Sequence, residues 1–464
     1  MEQCVLGIAS LFQISLQTRM RIATSLACLL ALAAAQYTPA ADWQKLIEPD
    51  LPRLVQTYKH LHASPELSYF EEKSAAFLAS ELRQLGFEVT EHIGKYQQQG
   101  LAGHGLVGVF KNGAGPVVLV RTDLDALPVA EKTGVPYASK ARMKNENGEE
   151  VSVMHACGHD IHMTCFVGTA KLLVALKNQW KGTLLFVGQP AEEVIAGARA
   201  MLADNLYQRV PKPTYALALH DNPFLPAGTV GYTPGYALAS STPVDILVRG
   251  LGGHGSKPES AKDPVVLASQ LVMALQTLVS RENSPFDPVV LTVGTIHGGT
   301  KRNIIPDEVK LEITLRTYKE DVRQRVIASI ERMAKGMAAA AGVPPERAPV
   351  VHVDEPLAGP PTYNDPALTD RLVRVFGQTL GTNNVIKVDP VMGSEDFGFF
   401  SLNQQIPAAM FWLGATDPVK FAESKKNGTP LPFLHSPLFA PLPEPTIRTG
   451  IIAMTAAVLD LMQK

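Results

Sequence analysis

Cysteine is scarce in this sequence, with four in 464 residues. Cys4 and Cys28 fall within the first forty residues, and the remaining pair, Cys157 and Cys165, is too small a set for a disulfide-stapled secreted fold. An excess of charge of either sign is also missing. Forty-two Lys and Arg stand against 44 Asp and Glu, a formal net charge of −2. No electrostatic footprint therefore points to nucleic acid or an anionic membrane surface, and small-molecule partners are the default. The apolar run Ile22–Ala35 is shorter than the roughly 20 residues that a stable membrane span needs. Internal repeats and low-complexity tracts are absent.

That short run has a different reading. Arg19, Met20 and Arg21 precede it, and it closes on Ala33-Ala34-Ala35 before Gln36. A positive end, an apolar centre and a small-residue cleavage pattern make an export signal, so the expected location is periplasmic or secreted. The positive end at Met20 also suggests a start there, with residues 1–19 an upstream extension. The apolar stretch before Cys28 is too short to mark a lipoprotein attachment site. Residues 1–40 are set aside from fold reasoning.

The length predicts two domains, one inserted in the other. Residues 42–88 have helical spacing, with Leu51, Leu54 and Val55, then Ala75, Leu78, Leu82 and Leu85. Beyond Gly86, short apolar runs alternate with helical stretches, which predicts an α/β fold with a mainly parallel sheet. The runs Val117–Val120, Leu184–Val187 and Tyr215–Leu219 read as buried strands, and each enters a polar cluster. In open α/β sheets the ligand site lies beyond the carboxyl ends of the strands. From Val244 the texture changes to strict alternation, repeated at Val309, Leu311, Ile313 and Leu315. Two amphipathic helices accompany these strands, one through Leu267, Leu271, Leu275 and Leu278 and one through Val322, Val326 and Ile330. Residues 243–358 are thus expected to form an inserted α+β unit in the order βαββαβ, with 359–366 as the return linker. Residues 41–242 and 359–464 make the other domain. The charged stretch 140–150 is expected to be a hairpin.

Met154-His155-Ala156-Cys157-Gly158-His159-Asp160 carries the sharpest chemical signal. A thiolate and an imidazole two residues apart can turn toward one ion, and that donor pair suits a divalent transition metal. Glu192-Glu193 leave a strand end pointing in different directions, so one can bind metal while the other holds a proton. A carboxylate base beside metal-activated water is what amide hydrolysis requires. Alone, a Glu pair is more often a solvated helix start. His220 ends the third strand and His435 lies in a Pro-rich loop, each a weak signal alone. Added to Cys157, His159 and Glu193 they make five donors, enough for two ions with an open position. Asp123 and Asp125 read as partners that orient a histidine. Cys165 and His162 are expected in the core or behind the donors.

Six motifs then occur in order: Arg121–Pro128, His155–Asp160, Gln189–Glu193, Gly252-Gly253-His254, Asn303–Pro306 and Gly393–Phe397. Together they resemble the amidohydrolase branch of the aminoacylase/carboxypeptidase metallopeptidases, which includes hippurate and indole-acetyl-amino-acid hydrolases. The resemblance runs from about residue 50 to the end. It implies a metal-dependent amidohydrolase that cleaves small N-acyl amino acids and uses two divalent ions, manganese or zinc. Its ligands would be Cys157, His159, Glu193, His220 and His435, with Glu192 the general base. Cys157 stands where peptidase relatives carry aspartate, which argues against the alternative of a metallo-carboxypeptidase or dipeptidase. The inserted unit matches a lid that also forms a homodimer contact. There His254 resembles a histidine that stabilises the oxyanion in the neighbouring subunit's site. Asn303 and Arg316 resemble residues that bind the substrate carboxylate, and Arg316 falls on the polar face of its alternating strand.

Overall fold

Residues 45–463 are described by the computed structural model. The expected export signal lies outside them. Two helices precede the first strand among the described elements, α1 (Leu51–Ala63) and α2 (Glu72–Gln84). Pro52 sits in the first turn of α1, where its missing N–H costs nothing, and Leu51, Leu54, Tyr58 and Leu61 form the buried stripe.

Twelve strands build two main sheets. In chain order they are β1 (Glu88–Ile93), β2 (Gly105–Asn112), β3 (Val117–Asp123), β4 (Gly182–Gln189), β5 (Tyr215–Pro226) and β6 (Val230–Tyr232). They continue as β7 (Thr242–Arg249), β8 (Val289–Gly298), β9 (Glu308–Thr317), β10 (Val350–Val353), β11 (Val385–Lys387) and β12 (Ala408–Thr416). The larger sheet has eight strands in the order β1-β2-β4-β3-β5-β12-β6-β11. Its centre is parallel (β4 with β3, β3 with β5, β5 with β12), whereas β1, β2 and β6 pair antiparallel to their inner neighbours.

The three apolar runs are the central strands, and they are apolar throughout because both sheet faces are covered. Val118, Val120, Leu184, Phe186 and Leu217 face one core, together with helices α3 (His159–Ala175) and the C-terminal Pro443–Leu461. Leu119, Leu185, Val187, Ala216 and Ala218 face the other, which includes Ala198 and Met201 of α4 (Gly197–Ala203). Strand β3 is followed in sequence by β4 on one side and then β5 on the other, a switch point in the strand order. Pairing of β3 with β5 stops at Arg121–Ala218. Beyond that level lie Asp123 at the end of β3 and His220 in β5.

The second sheet has the order β8-β9-β7-β10 and is antiparallel throughout. Val244, Ile246, Leu311 and Ile313 pack on Leu267, Leu271 and Leu275 of α5 (Pro264–Thr277) and on Val322, Val326 and Ile330 of α6 (Glu320–Ala340). The element order is β-α-β-β-α-β. The stretch Pro264–Glu282 is long and apolar enough to cross a bilayer by length and composition, but its leucine stripe is spent on this sheet.

One local reading changes with the structure and another holds. The return stretch 359–366 contains a strand, Thr362–Asn364, paired with Gly235–Leu238, where Tyr363 packs edge-on against Tyr236 at 4.9 Å. Residues 142–144 and 150–152 do form the expected hairpin, its turn closed by Asn145 Oδ1 accepting from the Asn147 and Glu149 N–H groups.

Candidate metal centre

Cys157 occupies the turn just before α3, and Gly158 adopts φ +78°. A Cβ there would fall 2.0 Å from Asp221 Oδ2, so glycine alone fits. His159 then opens the helix with its ring buried. Glu192 and Glu193 follow β4, His220 lies in β5, and His435 is held at φ +67° by its N–H donating to Ala156 O at 2.8 Å.

The five expected donors converge. Cys157 Sγ lies 3.6 Å from His220 Nε2 and 3.3 Å from His435 Nε2. His435 Nε2 is 3.4 Å from Glu193 Oε2, and His159 Nε2 is 3.8 Å from Glu193 Oε1. Donor atoms of Cys157, His159 and His220 lie within 4.8 Å of one another, as do those of Cys157, Glu193 and His435. The thiol is shared by both groups, which is the arrangement that two neighbouring ions need.

The two buried donor histidines, His159 and His220, each present Nε2 because Nδ1 is occupied. His159 Nδ1 donates to Asp125 O at 2.8 Å, and His220 Nδ1 donates to Asp221 O at 2.8 Å. The Asp125 carbonyl thus fixes one side of the His159 ring. Asp123 is placed differently from a simple partner of His159. Its Oδ1 accepts from His162 Nδ1 at 2.7 Å, while Oδ2 sits 3.7 Å from His159 Nε2, on the donor side of that ring. His162 Nε2 accepts from the Asp221 N–H at 2.9 Å. Cys165 is core, its thiol 3.7 Å from Ile447 O.

The electrostatics call for cations. Asp123, Glu395 and Asp396 pair with one arginine, Arg121, while the buried or nearly buried carboxyl groups of Asp125, Glu192, Glu193 and Asp221 lie against the His159 and His220 rings. Burial pushes the Glu193 carboxyl up to about 8, with His159 opposing and Asp125 adding to the rise. Burial, then the charges of Glu193 and Glu192, push the Cys157 thiol well up. Burial alone would lower His159, but Asp123, Asp125 and Glu193 override it and raise the ring's proton affinity. His159 Nε2 and Glu193 Oε1 are buried without a hydrogen-bond partner. Unpaired buried polar atoms are costly, and cations would resolve all of these conflicts at once. Thiol, imidazole and carboxylate are also the donor classes suited to divalent transition metals. The residues fit a pair of such ions.

Glu192 is 5% exposed with Oε2 3.7 Å from His159 Nε2. Among the described residues no hydrogen bond engages its carboxyl group. Burial, and then Glu395 and Glu193, raise its proton affinity well above the ordinary carboxylate range.

The remaining expected residues are not drawn into this cluster. His254 and Asn303 are exposed and sit together on a two-stranded ribbon, where Gly255 N donates to Asn303 O at 2.9 Å and Ser256 Oγ lies 2.7 Å from His254 Nδ1. Arg316, on β9, reaches across to Ser394 Oγ. Ser394 precedes Glu395, which pairs with Arg121 at 2.7 Å.

That Arg121 network was invisible to spacing. Arg121 donates to Asp123 Oδ2 at 2.7 Å, to Gln189 Oε1 at 2.8 Å and to Glu395, and Gln189 Nε2 donates to Asp396 Oδ1 at 2.6 Å. The quoted motifs contain all these residues, yet nothing local tells an exposed Glu-Asp pair from one buried against an arginine 274 positions away.

Comparison with known proteins agrees with this geometry. Residues 119–428 match Peptidase family M20/M25/M40. N-acetyldiaminopimelate deacetylase of Limosilactobacillus fermentum is 35% identical over 408 residues, 87% of this chain and 96% of that protein. Hippurate hydrolase of Campylobacter jejuni is 36% identical over 354 residues, 76% of this chain and 86% of its own. A dinuclear metal-binding peptidase of the M20 family from Bacillus subtilis superposes with a TM-score of 0.69 at 28% identity, covering 89% of this chain and 98% of that one. With the family match covering residues 119–428 and relatives 35–36% identical over most of their length, the chain belongs to peptidase family M20/M25/M40.

Proposed function

We propose that this protein hydrolyses the amide bond of small N-acyl amino acids or similar conjugates, releasing the acid and the amino acid. The observation that carries this is the Cys157 thiol shared between two donor groups, with the unengaged Glu192 carboxyl beside them. Cys157, His159, Glu193, His220 and His435 would hold two divalent ions, manganese or zinc. When bound, such ions polarise an amide carbonyl and lower the pKa of water toward about 7.

The rest falls to the chain's own residues. Glu192 takes the proton of the attacking water on its carboxylate and returns it to the leaving amine. Asn303 and Arg316 grip the substrate's carboxylate, Arg316 from the polar side of β9. His254 stabilises the developing oxyanion of a neighbouring subunit's site. Residues 243–358 act as lid and dimer contact. In support, that unit exposes an apolar face, with Val266 53%, Met273 73% and Ile296 56% accessible, and β8 is an edge strand open to pairing with a second copy. Residues 19–36 would direct the protein to the periplasm or beyond.

The test loads the purified protein with manganese or zinc, measures metal per chain, and assays N-acetyl and N-benzoyl amino acids against dipeptides. Turnover of the acyl amino acids with about two ions bound is expected. Preference for dipeptides moves the reading to a peptidase, and no turnover of any amide removes it.

A further inference from the structure

We propose that Glu71 is a positioning residue that fixes the backbone carrying Glu192; the inference rests on Glu192 being the proton carrier proposed above. Glu71 occupies the N-cap position of α2, but its side chain makes no cap bond to that helix. The carboxyl group turns away instead. Its Oε1 accepts from the Ala191 N–H at 2.7 Å and the Tyr69 N–H at 3.0 Å.

Both of those peptides belong to non-glycine residues in the left-handed region, Ala191 at φ +50° and Tyr69 at φ +73°. Such conformations persist only where the surroundings over-determine them, and they gather at functional sites. On the other side of Glu192, the Glu193 N–H donates to Asp125 Oδ2 at 3.0 Å, an oxygen that also accepts from Ser68 Oγ at 2.7 Å. Glu192 therefore lies between two peptide groups, each hung on a buried carboxyl. The far end of the loop returns to the same place, since the Ala196 and Gly197 N–H groups both donate to Ala191 O at 3.1 Å.

The segment 66–71 is itself anchored to the site. The Ala126 N–H donates to Glu66 O at 2.7 Å, beside the Leu67–Ala126 bridge. Glu71 is fully buried, and its Oε2 has no hydrogen-bond partner. A helix cap would aim this side chain at the first peptides of α2, whereas here it aims at the Ala191 and Tyr69 peptides.

The test compares Glu71→Gln, which keeps an acceptor oxygen, with Glu71→Met, which fills similar space and accepts nothing. Both are assayed on an N-acetyl amino acid after manganese loading, with metal content and amide hydrogen exchange at Ala191 read on the same samples. Glu71→Met should lose about a hundredfold in kcat while KM and metal content stay within about twofold of the unmodified protein, because displacements near 1 Å carry penalties of that size. Exchange at Ala191 should speed up by about tenfold or more in Glu71→Met and stay slow in Glu71→Gln, whose kcat should remain within about fivefold. Equal kcat and equal exchange in the two variants overturn the proposal, as does a loss of activity that tracks a loss of metal. If Glu71→Met does not fold, Glu71→Gln decides alone, and fast exchange at Ala191 or a kcat loss beyond about tenfold overturns it. An unmodified protein that cleaves no amide defeats the hydrolase reading, and exchange at Ala191 still decides whether Glu71 holds that peptide.

Discussion

Cys157 Sγ and His435 Nε2 stand 3.3 Å apart although 278 positions separate them in the chain. The turn before α3 supplies one and a loop near the C-terminal helix the other. The Ala156 carbonyl ties the two loops together by accepting from the His435 N–H.

If the thiol serves both donor groups, Cys157→Ala should disturb both ions. Metal affinity should fall by more than the roughly 10–100-fold that removal of an outer partner costs. Circular dichroism should stay native while elemental analysis drops below one ion per chain. Full stoichiometry in that variant defeats the shared-thiol arrangement.

Glu192→Gln keeps the shape of the side chain and abolishes its capacity to carry a proton. Bound metal should match the unmodified protein, whereas kcat should fall by roughly 10²–10⁴, the usual worth of a positioned acid-base group. Retained turnover would take the base assignment away from Glu192.

Gly158→Ala places a methyl 2.0 Å from Asp221 Oδ2 at a backbone φ of +78°. The strained backbone alone costs on the order of 1–3 kcal/mol, and displacement of Asp221 disturbs the carbonyl that orients His220. A lowered Tm together with weakened metal binding is the expected pair of results. Unchanged metal affinity alongside a lowered Tm confines the effect to stability.

His62 offers a pH-dependent case away from the donors. Its ring is buried between Asp160 Oδ2 at 2.7 Å and Glu131 Oε1 at 3.1 Å. Burial opposes the charged form, but the two carboxylates override it and raise the pKa from 6.5 to about 10. Stability from this raised group is fully present below about pH 6.5 and is lost as pH rises through about 10. His62→Gln, which leaves two carboxylates facing a neutral group, should cost roughly 3 kcal/mol in urea unfolding at pH 6. The difference from the unmodified protein should shrink toward pH 10.5, and a gap constant over that range contradicts the paired imidazolium.

Much of the architecture was legible because periodicity is a local property. Leu311, Ile313 and Leu315 alternate and line one face of β9, and the unbroken run Val117–Val120 is a strand covered on both sides. The convergence of candidate donors was legible for a different reason, since thiol, imidazole and carboxylate side chains just past strand ends are chemically conspicuous. The strand in 362–364 was not, because its partner at 235–238 lies on the other side of residues 243–358 in the chain.

From its own pattern the sequence determined the strand and helix segments, the β-α-β-β-α-β order within residues 243–358 and the five candidate donor side chains, all of which depend on side-chain type and short-range spacing. Only the tertiary structure decided that Asp123 faces the donor side of His159, that Arg121 is locked among Asp123, Glu395 and Asp396, and that Glu71 abandons its helix for the Ala191 peptide. Those relationships depend on distance and burial, which arise when strands far apart in the chain pair in one sheet.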